Sequence, residues 1–412
     1  MNDTSRPVTT DTRSQPAMPL WRTVLLAAMT AFPPMAIDQY LPALPIIGRE
    51  LRATPGQVQW TLSVFFIFFA IGQLVYGPVS DRFGRRLPLL AGILLFIAAS
   101  VGCALAGSIE ALIAWRAAEA VGAAAGAVVA RAMVRDLHEG TAAARLLSLM
   151  SLVMAIAPLA APILGGYLTV WLDWQSNFWA LGLFGLLCLV GALFGLPETL
   201  PVARRRRANI VGMLKGYGVL LRSRRFLGYA LSSGISFGAY FAYVSGSPFV
   251  FIELYEVPTA LYGYLFAINI VGMMIGSALN SRLVGRFGID RMLAAGVGVG
   301  AAAGVALVVF GITGAGGLPP LFLALFLFVS TQNVISANAM AGALSVRPDL
   351  AGTAAALAGV GGFLLGAVAG GLVNSLADGS ALPMAAVVAA GTFGAFAVER
   401  LVVARPRPTP SG

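Results

Sequence analysis

Three ionisable side chains lie well inside long apolar runs, away from their ends, where charged residues are unusual. Asp38 falls within the run 21–47, and both Arg116 and Glu119 fall within the run 110–132. If these runs cross a membrane, each charge costs at least about 2.5–3.5 kcal/mol, so such residues are usually paired or face a cavity. Burial favours the protonated form of a carboxyl, whereas a nearby arginine favours its charged form. A carboxyl under both influences can bind and release a proton, and this is the chemistry that the pattern predicts.

The spacing of these three residues indicates which of them can meet. Glu119 follows Arg116 by three residues, which places both on one face of a helix. At about 1.5 Å per residue, Asp38 and Arg116 reach a similar depth in their runs and are expected to approach each other. We predict that Asp38 carries the proton, with Glu119 either competing for Arg116 or acting as the coupling acid itself. The alternative is a static ion pair that only holds the helices together.

The elements that position these residues are predicted to be membrane helices. Hydrophobic residues make up 58% of the 412-residue chain and charged residues only 11%, and the mean hydropathy is +0.85. Soluble domains usually carry about a quarter charged residues. A single water-soluble core could not bury this much apolar surface, so a bilayer is the expected solvent.

Twelve apolar runs are each long enough to cross a bilayer. They are continuous rather than alternating, so they predict helices rather than barrel strands. The sequence therefore predicts an all-α membrane protein with twelve transmembrane helices. The predicted spans are 21–47, 57–79, 88–107, 110–132, 146–171, 176–196, 226–251, 259–284, 291–314, 319–343, 351–377 and 381–403.

The distribution of basic residues predicts the orientation of the chain. With the N-terminus in the cytosol, all but three of the 27 Lys and Arg residues fall on the cytosolic side. The exceptions are Arg49 and Arg52 on the outer side and Arg116 within a span. Such a lopsided distribution follows the positive-inside rule, so both termini are expected to be cytosolic.

The chain is predicted to consist of two similar halves. Its longest internal polar stretch separates six spans from six, and the tripeptide Arg-Phe-Gly at 82–84 recurs at 286–288. Gly72 and Gly276 have the same separation, which supports a duplication. The expected organisation is a cytosolic tail 1–20, a six-helix bundle 21–197, a cytosolic linker 198–225, a second bundle 226–403 and a cytosolic tail 404–412.

The loop after the second span carries a recognisable motif. The stretch 77–86, Gly-Pro-Val-Ser-Asp-Arg-Phe-Gly-Arg-Arg, resembles the loop signature of the major facilitator superfamily. Its aspartate can bind arginines and so act as a latch that favours one conformation; the alternative is a basic loop that only fixes topology. In the second half Gly285 replaces this aspartate, so that copy is not expected to form a latch. The predicted latch residues are Gly77, Asp81, Arg82, Gly84, Arg85 and Arg86.

Further motifs resemble the drug:proton antiporters of the Bcr/CflA group. The stretch 38–45, Asp-Gln-Tyr-Leu-Pro-Ala-Leu-Pro, is similar to the first-span motif of that group, and the stretches 116–122 and 131–136 are similar to its fourth-span motifs. Glu119 departs from the glutamine usual in the group. The fifth span resembles the antiporter motif, although Ala161 stands where the family often has glycine. The residues of that motif are Pro158, Pro162, Gly165 and Gly166.

The resemblance implies a major facilitator fold and proton-driven export of drug-like small molecules by alternating access. It also implies a bacterial inner-membrane location and a monomer, with protons and lipid as the other partners. Aromatic and amide residues in the spans are candidates for contact with substrate. The predicted contacts are Tyr40, Tyr240 and Asn333.

Other function classes fit the sequence less well. The alternatives are an exporter of a particular metabolite and a receptor or scaffold that does not transport. A nucleic-acid partner is not expected, because the basic residues lie between apolar runs. The single His138 and the isolated Cys103 and Cys188 predict neither a metal nor a cofactor site, and no catalytic constellation indicates an enzyme.

Overall fold

A computed structural model describes residues 19–137, 140–205 and 210–403. This part of the chain contains helices and no strand. Eleven of its helices are long and apolar enough to cross a membrane, and a bent pair at the start of the chain makes twelve. The predicted all-α fold with twelve membrane helices is therefore confirmed. His138, the tail 404–412 and nearly all of the tail 1–20 lie outside the described residues.

The helices of the first half follow the predicted spans closely. They are α1 (Leu20–Met29), α2 (Phe32–Asp38), α3 (Leu44–Glu50), α4 (Pro55–Phe83), α5 (Arg86–Ala104), α6 (Ile109–Leu137), α7 (Gly140–Trp171) and α8 (Gln175–Gly195). The boundaries fall where turn and polar residues interrupt the apolar runs, for example at Thr54, whose side chain caps α4.

The linker contains a helix that the sequence did not predict, α9 (Ile210–Leu221). The helices of the second half then mirror those of the first. They are α10 (Arg224–Pro248), α11 (Thr259–Phe287), α12 (Ile289–Thr313), α13 (Leu318–Val346), α14 (Ala351–Ser375) and α15 (Leu382–Val398). Two π-helical turns extend α10 and α15, at Phe249–Leu254 and Glu399–Val403.

The first span is not the continuous helix that the sequence predicted. It divides into Trp21–Met29 and Phe32–Glu50, with an angle of 48° between them, and the second piece is itself interrupted by the 3₁₀ turn Leu41–Ala43. Proline lacks the backbone N–H that an α-helix needs and clashes with the preceding turn. The run contains Pro33, Pro34, Pro42 and Pro45. Asp38 consequently ends a short helix instead of lying in the middle of a long one.

The two halves share local geometry at equivalent positions. Gly84 and Gly288 end α4 and α11 with φ values of +92° and +80°, a region that favours glycine. The Arg-Phe pair before each glycine makes a cation–π contact, at 5.2 Å in the first half and 5.4 Å in the second. Gly72 packs against α6 and Gly276 packs against α13, so these glycines have the same role in both halves.

Among the described residues, the polar and ring contacts between the two halves lie at one end and in the middle of the molecule. We call the end that carries the junction between α4 and α5 the arginine-rich end, and the opposite end the far end. Near the far end Asn374 donates a hydrogen bond to the Gly56 carbonyl at 3.1 Å, and Ser63 donates to the Ala367 carbonyl at 3.4 Å. From Phe69 towards the arginine-rich end, no further hydrogen bond, ion pair or ring contact joins α4 to α14 among the described residues. The structure is therefore closed at the far end, and α4 and α14 have no polar or ring contact towards the arginine-rich end.

Candidate substrate and proton site

Asp38 is a buried carboxyl that faces the second half of the molecule. It is 6% exposed and interacts electrostatically with Tyr240, Tyr243 and Tyr262, which lie on α10 and α11. Within the described part of the chain it forms no hydrogen bond and no ion pair. A buried carboxylate without a cation or a donor is costly, so these surroundings suit its neutral, protonated form.

The tyrosines around Asp38 are held by polar partners of their own. The amide of Asn269 donates to the Tyr243 hydroxyl at 2.9 Å, and the hydroxyls of Ser247 and Tyr262 lie 2.9 Å apart. Tyr240 is half-buried, and its hydroxyl has no hydrogen-bond partner among the described residues. The second half thus presents three phenol groups to Asp38, two of them fixed in position and one free to bind another group.

Arg116 and Glu119 form a separate ion pair inside the first half. Their side chains are fully buried with 2.5 Å between Nη1 and Oε2, and Ser100 donates to the other carboxylate oxygen at 2.9 Å. The guanidinium carbon lies 4.3 Å from the ring centre of Tyr40 and 4.4 Å from that of Phe65. Aromatic faces attract a buried cation, which partly offsets the absence of acceptors for Nε and Nη2. The pair is compact and electrically neutral overall.

The predicted approach of Asp38 to Arg116 is absent from this conformation. Glu119, one turn along the same helix, takes the guanidinium instead. Asp38 points to the second half because the helix break after it ends α2 at that interface. The rotation of a broken span depends on its packing against other helices, which the sequence pattern does not specify.

The structure places the three predicted substrate contacts in different surroundings. Tyr40 is fully buried beneath Arg116, and its hydroxyl lies 2.9 Å from that of Thr61, so in this conformation it belongs to the packing of the first half. Asn333, on α13, is half-buried and has no hydrogen-bond partner among the described residues. Tyr240 and Asn333 are thus the two predicted contacts whose polar groups are free.

The proline and glycine motif of the fifth span brings α7 against the break in the first span. Pro158 and Pro162 lie within α7, about two turns and one turn before Gly165 respectively. A methyl group on Gly165 would overlap the Gln39 carbonyl, so only glycine allows this approach. Gln39 immediately follows Asp38, and α7 therefore supports the chain at the point where the carboxyl is presented.

The same motif also reaches the second half. A methyl group on Gly166 would lie 3.0 Å from the Thr259 carbonyl, and one on Gly263 would lie 2.5 Å from the Pro162 carbonyl. The hydroxyls of Tyr167 and Tyr264 lie 3.0 Å apart nearby. One segment of α7 thus touches both the Asp38 region and the opposing half.

The signature loop at the arginine-rich end forms a network centred on Arg85. Its guanidinium donates to Asp81 at 2.5 Å, to Ser80 at 2.7 Å and to Asp136 at 2.8 Å. All of these partners belong to the first half, so the predicted latch does not reach the second half in this conformation. Within the described part of the chain, Arg82 makes only a cation–π contact with the neighbouring Phe83, and a side chain on Gly77 would meet open space.

Glu198 is a further member of this network, and no sequence motif predicted it as a site residue. It accepts backbone hydrogen bonds from Arg85 at 2.8 Å, Leu200 at 2.9 Å and Arg86 at 3.3 Å. Partial burial raises the pKa of Glu198, but these N–H groups and Arg205 together bring it below its usual value. A methyl group on Gly84 would collide with the carboxylate. The signal in the sequence was a lone acidic residue immediately after the sixth span.

The fold and this site define a membrane transporter built from two equivalent halves. The chain belongs to the Major Facilitator Superfamily, whose family model matches residues 24–371. It is 35% identical over 361 residues to a bicyclomycin resistance protein homolog of Haemophilus influenzae, covering 87% of this chain and 90% of that protein. It is 30% identical over 378 residues to a chloramphenicol resistance protein of Pseudomonas aeruginosa, covering 88% of each chain.

A solved structure supports the fold independently. A crystal structure of the nucleoside transporter NupG superposes with a TM-score of 0.75 over 93% of this chain and 99% of that one, at 11% identity. At this identity the likeness shows the fold alone. The family and the membrane helices together make this chain a multi-pass membrane transporter, with relatives named for drug resistance.

Proposed function

We propose that the protein exports drug-like small molecules across the bacterial inner membrane in exchange for protons. The observation that carries the proposal is Asp38, a buried carboxyl at the boundary between the two halves that has no cationic partner among the described residues. The printed names of the relatives, which refer to bicyclomycin and chloramphenicol resistance, support drug-like substrates.

Transport would proceed by rocking of the two halves about the site. In the structure the halves meet at the far end, where small residues of α7 and α11 allow close contact. The predicted orientation puts the arginine-rich end in the cytosol, so this conformation would accept substrate from inside the cell. Rocking would separate α7 from α11 at the far end and release the substrate outside.

Asp38 would couple this motion to the proton. With no cation beside it, the carboxyl is expected to hold a proton in the conformation described here. A drug that enters between the halves would bring polar groups or water to the carboxyl and displace the proton into the cytosol. After rocking, Asp38 would be loaded again from the outer side. The electrical part of the proton gradient supplies about 2.3 kcal/mol per charge for each 100 mV.

The substrate surface would be mostly aromatic. Phe66 of the first half contacts Phe241 on α10, with 3.7 Å between the ring centres. Phe363 of the second half contacts Phe237 on the same helix. The free polar groups of Tyr240 and Asn333 lie on helices of the second half. Apolar walls with few polar groups suit varied, largely apolar compounds, because little orientation is imposed.

Inverted membrane vesicles test the proposal directly. We expect bicyclomycin or chloramphenicol, added to vesicles with an established proton gradient, to evoke proton release with the wild type and not with Asp38→Asn. The matched control is Glu110→Gln, which removes an exposed carboxylate at the start of α6 and should retain coupling. Full coupling in Asp38→Asn would overturn the assignment of the proton to Asp38.

The same vesicles distinguish the other functions that the sequence leaves open. A well-folded wild type that responds to no drug would indicate an exporter of a particular metabolite. Binding of a drug without flux would indicate a receptor.

A further inference from the structure

A cavity of about 280 Å³ lies at the far end, between the two halves. The start of α4 contributes Pro55 and Gln59 from the first half. The second half contributes the end of α10 with its π-helical turn, the end of α14 and the start of α15. Neither Asp38 nor any predicted substrate contact lines it. It is therefore a different space from the candidate transport site.

The cavity contains a buried amide with no partner. Gln59 is 3% exposed, its Oε1 is shielded from solvent, and its side chain forms no hydrogen bond among the described residues. An unpaired buried polar group costs about 1–3 kcal/mol. A half-turn of the amide would bring Oε1 to the cavity, where a ligand with a hydrogen-bond donor would remove this cost, so the cavity offers more than apolar space.

The charge around the cavity favours a cation. Glu253 is the only charged residue in its lining, and Ser380, another lining residue, donates to Asp378 at 2.7 Å. Arg49 interacts electrostatically with Glu253 but forms no ion pair with it. A cation in the cavity would thus find a carboxylate that no arginine holds.

The remaining walls are apolar. Phe249, Val250 and Leu254 come from the π-helical turn, and Met384 faces them from α15. π-Helical turns are often found at functional sites. The volume is slightly below the range of about 300–1,000 Å³ typical of sites for drug-sized ligands, so a compound with a single ring fits better than a larger drug.

We propose that this cavity binds small ammonium compounds that carry one apolar ring. The ammonium group lies between Glu253 and Gln59, and the ring packs against the π-helical turn. Because Gln59 belongs to the first half and Glu253 to the second, the ligand favours the conformation closed at the far end. If the protein exports drugs as proposed above, such compounds slow export from the outer side.

Direct binding tests this proposal without reference to transport. We would titrate the purified full chain in lipid nanodiscs with 2-phenylethylammonium by calorimetry, and compare 3-phenylpropionate, which carries the opposite charge. We expect saturable binding of the ammonium compound and none of the carboxylate. Glu253→Gln should weaken binding at least about tenfold, the size of effect expected for removing one charged hydrogen-bond partner.

Three variants make the outcome decisive. Glu256→Gln changes an exposed carboxylate outside the cavity and should bind like the wild type. Ala377→Trp fills the cavity from an exposed loop position and should abolish binding even if Glu253→Gln is unstable. Asp38→Asn should leave binding unchanged. The absence of saturable binding would overturn the proposal. Binding that is lost in Asp38→Asn and retained in Glu253→Gln would also overturn it, because the ammonium compound would then occupy the central site.

Discussion

Two buried carboxyls in the first half of this protein have opposite surroundings. Glu119 has a guanidinium at 2.5 Å and a serine hydroxyl at 2.9 Å, entirely within the first half. Asp38 has neither, and it faces tyrosines of the other half. Glu119 can keep its surroundings when the halves move, whereas those of Asp38 must change.

This difference shows how a buried charge serves structure in one place and is suited to transport in another. Breaking a buried ion pair leaves an uncompensated charge, so such a pair resists change. A lone carboxyl at a moving boundary can gain or lose a proton as its neighbours change. Pairing, rather than burial, therefore separates the two roles.

The largest expected effect is on stability when the ion pair is broken. Arg116→Leu leaves Glu119 buried without a cation and should lower the free energy of unfolding by about 3–5 kcal/mol. The double variant with Glu119→Leu should recover most of that loss, since no charge remains. Thermal unfolding of the purified proteins measures both. An equally unstable double variant would show that aromatic contacts with Arg116, and not the pair, hold this region.

A smaller effect on the free energy of unfolding is expected where α7 supports the chain next to Asp38. Gly165→Ala forces a methyl group against the Gln39 carbonyl and should cost about 1–3 kcal/mol, as overpacking does. Gly298→Ala is the control, because a methyl group there meets nothing within 4 Å. If both variants unfold alike, close approach of α7 does not support the Asp38 region.

The arginine-rich end should show a modest dependence on pH. The pKa of Glu198 lies below its usual value of 4.5, so its charged form stabilises the folded state above that value. This contribution should disappear as the pH falls from about 4.5 through the lowered pKa. Glu198→Gln should be less stable than the wild type at neutral pH, and the difference should narrow in acid. A difference that is constant with pH would assign the effect to shape rather than charge.

The smallest change in stability is expected at Asp38 itself. Among the residues that the structure describes, Asp38→Asn removes no ion pair and no hydrogen bond, so the free energy of unfolding should shift by no more than about 0.5 kcal/mol. The shift should be favourable if part of the wild-type population carries the charge. A loss as large as that of Arg116→Leu would mean that Asp38 is held by contacts absent from this conformation, and would remove the contrast between the two carboxyls.

The features that could be predicted from the sequence are those set by interactions between residues close along the chain. Hydrophobicity summed over about twenty residues decides whether a segment crosses a bilayer, so the twelve spans could be located directly. The repeated Arg-Phe-Gly loop also predicted equivalent turns, since φ near +80° to +90° at Gly84 and Gly288 depends mainly on the residue itself. The family followed from motifs whose residues are contiguous.

Features that depend on how helices are rotated could not be predicted from the sequence. The prolines of the first span were visible, but the direction in which the break turns Asp38 is set by α7, through Gly165 and the Gln39 carbonyl. Tyr40 was expected at the substrate path because it adjoins Asp38, yet successive residues around a turn point in different directions. Glu198 was overlooked as a partner of Arg85 because more than a hundred residues separate them.

The sequence by itself determined that the chain spans a membrane and how many spans it has. It also determined that the two halves are similar and that three costly charges lie within the spans. Each of these follows from composition and local pattern. Only the tertiary structure decided that Arg116 pairs with Glu119 and leaves Asp38 free at the boundary between the halves. An ion pair needs its atoms within about 4 Å, and distances of that size depend on helix rotation and close packing that no single segment specifies.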